Sequence, residues 1–121
     1  MNNTQESLMT DHKQALIDLR DKVKAGGEDT PDFSALVSRP ITQCKAGEAY
    51  RGSLDAAKAL HEAVLPGWVY GISFDAYSEL YAFVSDGIAF ETDEVYNIEP
   101  ARAWLLAILE ALIAQEEQRE Q

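Results

Sequence analysis

The sequence predicts an α+β fold, a small three-layer α/β/α sandwich in which a three-stranded antiparallel meander is covered by helices. Three observations predict it. Apolar residues recur at helical spacing before Pro66 and after Asn97, whereas the interval between them alternates with period two. Asp86-Gly87 is a two-residue hairpin signal, because a type I′ turn needs positive φ at both central positions. The strand beginning at Glu79 is apolar on both faces, so both faces of the sheet ask for cover. At 121 residues the chain suits one domain, expected over 11–115 between a flexible extension at 1–10 and a polar tail at 116–121.

Asp11 to Lys24 reads as an amphipathic helix, with Ala15, Leu16, Leu19 and Val23 on one stripe. Thr10 is its candidate N-cap, Lys22 and Lys24 suit the negative end of its dipole, and Gly26-Gly27 stop it. Asp32 to Ser38 suggests a short helix with Phe33, Leu36 and Val37 inward, ended at Arg39-Pro40 because a residue before proline disfavours the helical region. Ile41 to Arg51 shows no clear period and is expected to hold a short strand near Ile41 or an irregular loop.

Ser53 is placed to cap a helix over Leu54 to Val64, with Leu54, Ala57, Leu60 and Val64 as its apolar stripe and His61 at the edge. Pro66-Gly67 is a turn. Strands are expected at Trp68 to Ser73, Glu79 to Ser85 and Ile88 to Thr92, with Ser85 opposite Ile88. Pro100 fits the first turn of a last helix that runs to about Gln115, where a missing N–H costs nothing. From Trp104 to Ala114 that helix carries only Glu110 as a charge. It is expected to lie between sheet and helices or to make a subunit contact through Trp104, Leu106 and Ile113.

Ten basic and twenty-one acidic residues give a net charge of −11. Phosphate neutralisation needs a basic surface, so direct nucleic-acid binding is not expected. The charge is also uneven. Between Lys58 and Arg102 there is no Lys or Arg, while Glu62, Asp75, Glu79, Asp86, Glu91, Asp93, Glu94 and Glu99 all fall there. Such a field steers a basic partner toward the sheet and its loops, with Asp86, Glu91, Asp93, Glu94, Tyr77 and Tyr96 as candidate contacts. Arg39, Lys45 and Arg51 precede the acidic span and are the candidate contacts for an anion or nucleotide-like ligand.

Catalytic chemistry finds little support. The single cysteine, Cys44, excludes an internal disulfide. Lys45 beside it favours a thiolate, but a nucleophilic cysteine also wants a histidine, and His12 and His61 sit on separate helices. Two histidines and one cysteine at these spacings do not make a zinc site. The carboxylates of Glu91, Asp93 and Glu94 lack the spacing of a calcium loop. There is no phosphate loop, nucleophile elbow or His-Glu-x-x-His. No catalytic residue, metal or cofactor is therefore expected. Met1 to Leu8 lacks a secretory pattern, and Ala101 to Ala114 is too short to span a bilayer, which points to the cytosol.

The segment Ala49-Tyr50-Arg51-Gly52-Ser53-Leu54-Asp55-Ala56-Ala57, followed by Leu65-Pro66-Gly67-Trp68, a hairpin and an Ala/Leu-rich closing helix, resembles the phage ABA sandwich domain. The likeness covers roughly Gly47 to Ala114. Ile98-Glu99-Pro100-Ala101 stands where that family tends to have Thr-Pro-Ala, and Trp104 is bulkier than its pattern. The resemblance implies a phage or prophage origin and the sandwich fold, and it supplies no activity or site residues. The expected function is a non-enzymatic protein-interaction module whose partner is a basic protein or a second copy. Alternatives are a nucleotide-like ligand binder, an acidic anti-defence inhibitor that mimics nucleic acid, and a structural homo-oligomer.

Overall fold

A computed structural model describes residues 4–36, 40–97 and 99–119. The elements run α1 (Thr4–Ala25), α2 (Pro40–Tyr50), α3 (Leu54–Val64), β1 (Val69–Phe74), β2 (Leu80–Ser85), β3 (Val95–Tyr96) and α4 (Pro100–Arg119). The class is α+β, with one antiparallel sheet ordered β1-β2-β3.

Helix α1 begins at Thr4, so Thr10 lies inside it and is not its cap. Leu16, Leu19 and Val23 are buried as the period requires. Gly26 takes φ +76° and returns its N–H to Lys22 and Val23 carbonyls, the left-handed termination a glycine allows. The expected short helix after Asp32 is instead a turn: Asp32 Oδ1 accepts the Ser34 N–H, and the Leu36 N–H donates to the Phe33 carbonyl. Phe33 and Leu36 still face the core, while Val37, Ser38 and Arg39 lie outside the described residues.

The segment expected to be strand or loop is helix α2. Pro40 opens it in the position where proline is tolerated, rather than closing the preceding element. Its inward residues are Thr42, Ala46, Ala49 and Tyr50, a stripe of mostly small side chains that hydropathy hardly marks. Tyr50 anchors it: its hydroxyl donates to the Gly27 carbonyl at 2.9 Å, and the Arg102 guanidinium lies 3.9 Å over its ring. Helix α3 is capped as expected, Ser53 Oγ accepting the Ala56 N–H at 3.1 Å. Its buried residues are Ala56, Ala57, Leu60 and His61, so the inward face is rotated from the expected stripe and Leu54 is exposed.

The meander differs at its third strand. Ile88 to Thr92 forms no strand and meets the end of β2 through Phe90, Glu91 and Thr92. Asp86 Oδ1 accepts the N–H groups of Ile88, Ala89 and Phe90, which folds the segment into a loop. Ser85 pairs with Glu91 instead of Ile88. Thr92 Oγ1 accepts the Val84 N–H at 2.9 Å, and the Thr92 N–H donates to the Val84 carbonyl. The third strand forms at Val95 and Tyr96, opposite Ala82 and Tyr81.

Helix α4 is the centre of the molecule. One side packs on β2 and β3, and the others meet α1, α2 and α3. That accounts for its apolarity all round: Trp104, Leu106 and Ile113 are buried in the domain's own core, so the expected subunit contact through them is corrected to an internal one. The helix also continues through the expected tail to Arg119, with Glu116 buried. Helix α4 is the helix that packs broadly on the sheet, and it does so on the face carrying Ala82, Val84 and Val95.

Candidate interaction surface

Strand alternation assigns the side chains of β1 and β2 to two faces. Tyr70, Ile72, Ala82 and Val84 take the α4 face. There Tyr70 stacks on Trp104 with ring centroids 4.2 Å apart, and His61 closes the group at 5.2 Å from Tyr70. The Trp104 indole N–H has only a proton to give, so His61 Nδ1 accepts it at 3.2 Å. Nε2 then carries the ring proton and donates to the Trp68 carbonyl at 2.9 Å. Both nitrogens of His61 are engaged in the core, which leaves neither for a metal.

Val69, Gly71, Ser73, Tyr81, Phe83 and Tyr96 take the opposite face. Gly71 lies opposite Phe83, and a Cβ there would fall 2.3 Å from Phe83 Cε1: the ring lies down across the glycine. Tyr81 and Tyr96 pair beside it with centroids 5.7 Å apart. This face is an aromatic strip, with Val69 53% and Tyr96 43% exposed at its margins. It was missed in the sequence because apolar residues on both sides of a strand read as two buried faces. The glycine opposite an aromatic was the usable signal.

The acidic candidates divide between the two ends of the strip. At the β1–β2 turn, Asp75 Oδ1 accepts the N–H groups of Tyr77 and Glu79, and Tyr77 is 87% exposed. Those backbone donors, Glu79 first, hold the Asp75 carboxyl below its ordinary value. Tyr96 comes to the same end and donates its hydroxyl to Glu94 at 2.7 Å. Glu94 first, with Asp75, pushes the Tyr96 phenol above the ordinary tyrosine range, because ionising it adds a third negative charge there. Asp86 stands past the other end of β2, its carboxyl held low by the Ile88 and Phe90 amides, with Glu91 bridged to Ser85 nearby.

The acidic span is base-free in sequence and not in space. Arg20 and Lys24 of α1 reach a groove of about 570 Å³ whose other wall includes Glu91, Asp93, Glu94 and Glu110. Arg20 is bound to Glu110 at 2.8 Å and to Asp21 at 3.1 Å, contacts that raise its pKa, Glu110 most. Glu91, Glu94 and Tyr96 thus share a groove with two bases, while Asp75, Glu79 and Asp86 lie outside it.

Two of the expected anion contacts take separate partners. Lys45 pairs with Glu48 at 3.4 Å, Arg51 donates to Thr30 Oγ1 at 3.0 Å, and Arg39 lies outside the described residues. Cys44 is exposed, and its thiol lies 3.7 Å from Glu48 Oε1. His12 Nε2 bonds the Ala35 carbonyl while Nδ1 faces Glu116, which also accepts from Arg119, at the rim of a cleft of about 440 Å³. Among the described residues there is no group of three or more potential metal ligands, and no helix is long and apolar enough to cross a membrane. No family model, curated protein or solved structure matches the chain.

Proposed function

We propose that the chain is a non-enzymatic protein-interaction module that receives a basic protein on the exposed side of its sheet. The observation that carries this reading is the aromatic strip on the side of the sheet away from α4, with Tyr81 and Phe83 half-buried and Tyr96 exposed, ended by Asp75, Glu79 and Glu94 on one side and Asp86 and Glu91 on the other. Aromatic residues supply contact area at low entropic cost, and the acids supply steering. The resemblance of its capped helix and Pro-Gly-Trp turn to the phage ABA sandwich domain supports an origin in phage or prophage and action in a bacterial cytosol.

A lysine–glycine alternating peptide is the defined probe. Its binding, read by fluorescence anisotropy, is expected to weaken at least tenfold between about 50 and 500 mM salt, and again when Asp75, Glu79 and Glu94 are changed together to their amides. Binding indifferent to both salt and substitution rejects a basic partner at this surface. Of the alternatives, the nucleotide-like ligand is less favoured because Lys45 and Arg51 take separate partners. The homo-oligomer loses its basis because Trp104, Leu106 and Ile113 are internal.

A further inference from the structure

The way such a partner binds follows from the outer edge of β1. The Asp75 N–H donates to the Glu79 carbonyl at 3.0 Å, and this bond sets the phase of the β1–β2 ladder. In an antiparallel pair alternate residues exchange bonds with the neighbour. Odd-numbered residues of β1 therefore bond β2, and the N–H and C=O groups of Tyr70, Ile72 and Phe74 point away from the sheet. The Trp68 carbonyl obeys the same phase and is taken by His61. Beyond it, among the described residues, the edge has no neighbouring strand, because β1 ends the sheet.

Natural edge strands are guarded by lysine, proline, bulges or a covering element. Val69–Phe74 reads VYGISF, with no charge and no proline, and pairs with β2 without a bulge. Tyr70 is 45% and Phe74 65% exposed on the α4 side of this edge, and Val69 on the other. An unguarded edge with apolar side chains on both faces is the template for strand addition. Charge selects the occupant. Antiparallel pairing of β1 with a second copy sets the Asp75–Glu79 end of each chain against the Asp86 end of the other, acid against acid. The same ends attract a strand flanked by lysine or arginine.

We propose that β1 is a strand-addition site whose occupant is an extended basic segment of a partner protein, alternating apolar residues with lysine or arginine, bound as a fourth strand through the backbone of Tyr70, Ile72 and Phe74. This rests on the basic-partner reading above and adds its geometry. The test titrates two peptides of equal charge, lysine–valine and lysine–glycine alternating, into the full chain at low salt. Strand addition expects the lysine–valine peptide to bind at least tenfold tighter. It also expects the Tyr70 and Ile72 amides to gain hydrogen-exchange protection on binding.

Phe74→Pro removes one edge N–H that β2 does not use, and Phe74→Ala removes the same ring while keeping that N–H. The proline variant is expected to bind about fivefold more weakly than the alanine variant at similar thermal stability, the worth of roughly one hydrogen bond. If proline unfolds the strand, the protection pattern in the unsubstituted chain decides. Equal binding of the two peptides with no protection at Tyr70 and Ile72 overturns strand addition and leaves the basic-partner reading standing. Failure of both peptides to bind overturns both. A dimer in light scattering that Phe74→Pro dissociates overturns the choice of occupant in favour of a second copy.

Discussion

His61 shows how much one side chain settles. It is 2% exposed, yet it satisfies the Trp104 indole and the Trp68 carbonyl and packs on the Tyr70 ring. Removing it leaves a buried donor and a buried acceptor unpaired and opens a cavity. His61→Ala is expected to cost about 2–4 kcal/mol by urea denaturation, the sum of a packing loss and an unmet hydrogen-bonding demand. His61→Phe keeps the volume and is expected to remain clearly destabilised, which separates the polar from the steric part. Tyr96 offers a spectroscopic counterpart. Its neutral form is favoured by Glu94 and Asp75, so its folded pKa lies above the unfolded value. The stabilisation is present below the ordinary tyrosine range and lost as pH rises through the raised value. Ultraviolet titration is expected to show a late-ionising tyrosine component that Glu94→Gln moves to lower pH.

Among the elements, helices were legible where their period was amphipathic or their cap distinct, as in α1 and the Ser53-capped α3. Helix α2 was not, because Ala46, Ala49 and Thr42 bury little hydropathy and the one bulky anchor, Tyr50, sits at its end. The third strand was misplaced for a different reason. Asp86-Gly87 does bend the chain, with Gly87 at φ +80°, but Asp86 captures three following amides, so the chain meets β2 first at an isolated bridge at Glu91 and forms a strand only at Val95. Both turns thus rest on carboxylates. The folded carboxyls of Asp75 and Asp86 are depressed below their ordinary 3.8. They contribute stability above the unfolded value, and that contribution disappears as pH falls through the folded one. Melting temperature is expected to drop below about pH 4, with a shallower fall in Asp75→Asn/Asp86→Asn. At β1, Gly71→Ala must push the Phe83 ring aside. The clash is with the far end of a half-buried side chain, so the expected cost is under about 1.5 kcal/mol. Phe83 exposure is expected to rise, read as upfield-shift loss of Gly71-neighbouring resonances in proton NMR.

At the scale of the molecule, the α+β class could be read from periodicity, and the apolar last helix only as buried in the domain or in a subunit contact, whereas the layering could not be read. A strand apolar on both faces is compatible with two covering layers or with one layer and an exposed aromatic strip, and only the packing of α4 on the Ala82–Val84 side decides between them. Charge behaved likewise: the base-free interval is linear, and α1 folds Arg20 and Lys24 back against part of it. Because α4 touches the sheet and all of the other helices, no layer keeps its apolar face covered once α4 leaves. The domain is therefore expected to unfold as one cooperative unit. Trp68 and Trp104 report the sheet–α4 interface, while far-ultraviolet dichroism is dominated by the helices, so the two probes sample different layers. Their urea transitions are expected to coincide. Leu109→Ala, at a position with no exposed surface, is expected to move both together by about 3 kcal/mol. A tryptophan transition that precedes the dichroic one, in either protein, would mean that the sheet detaches while the helices stay packed, and α4 would then be a hinge between two units instead of their shared core.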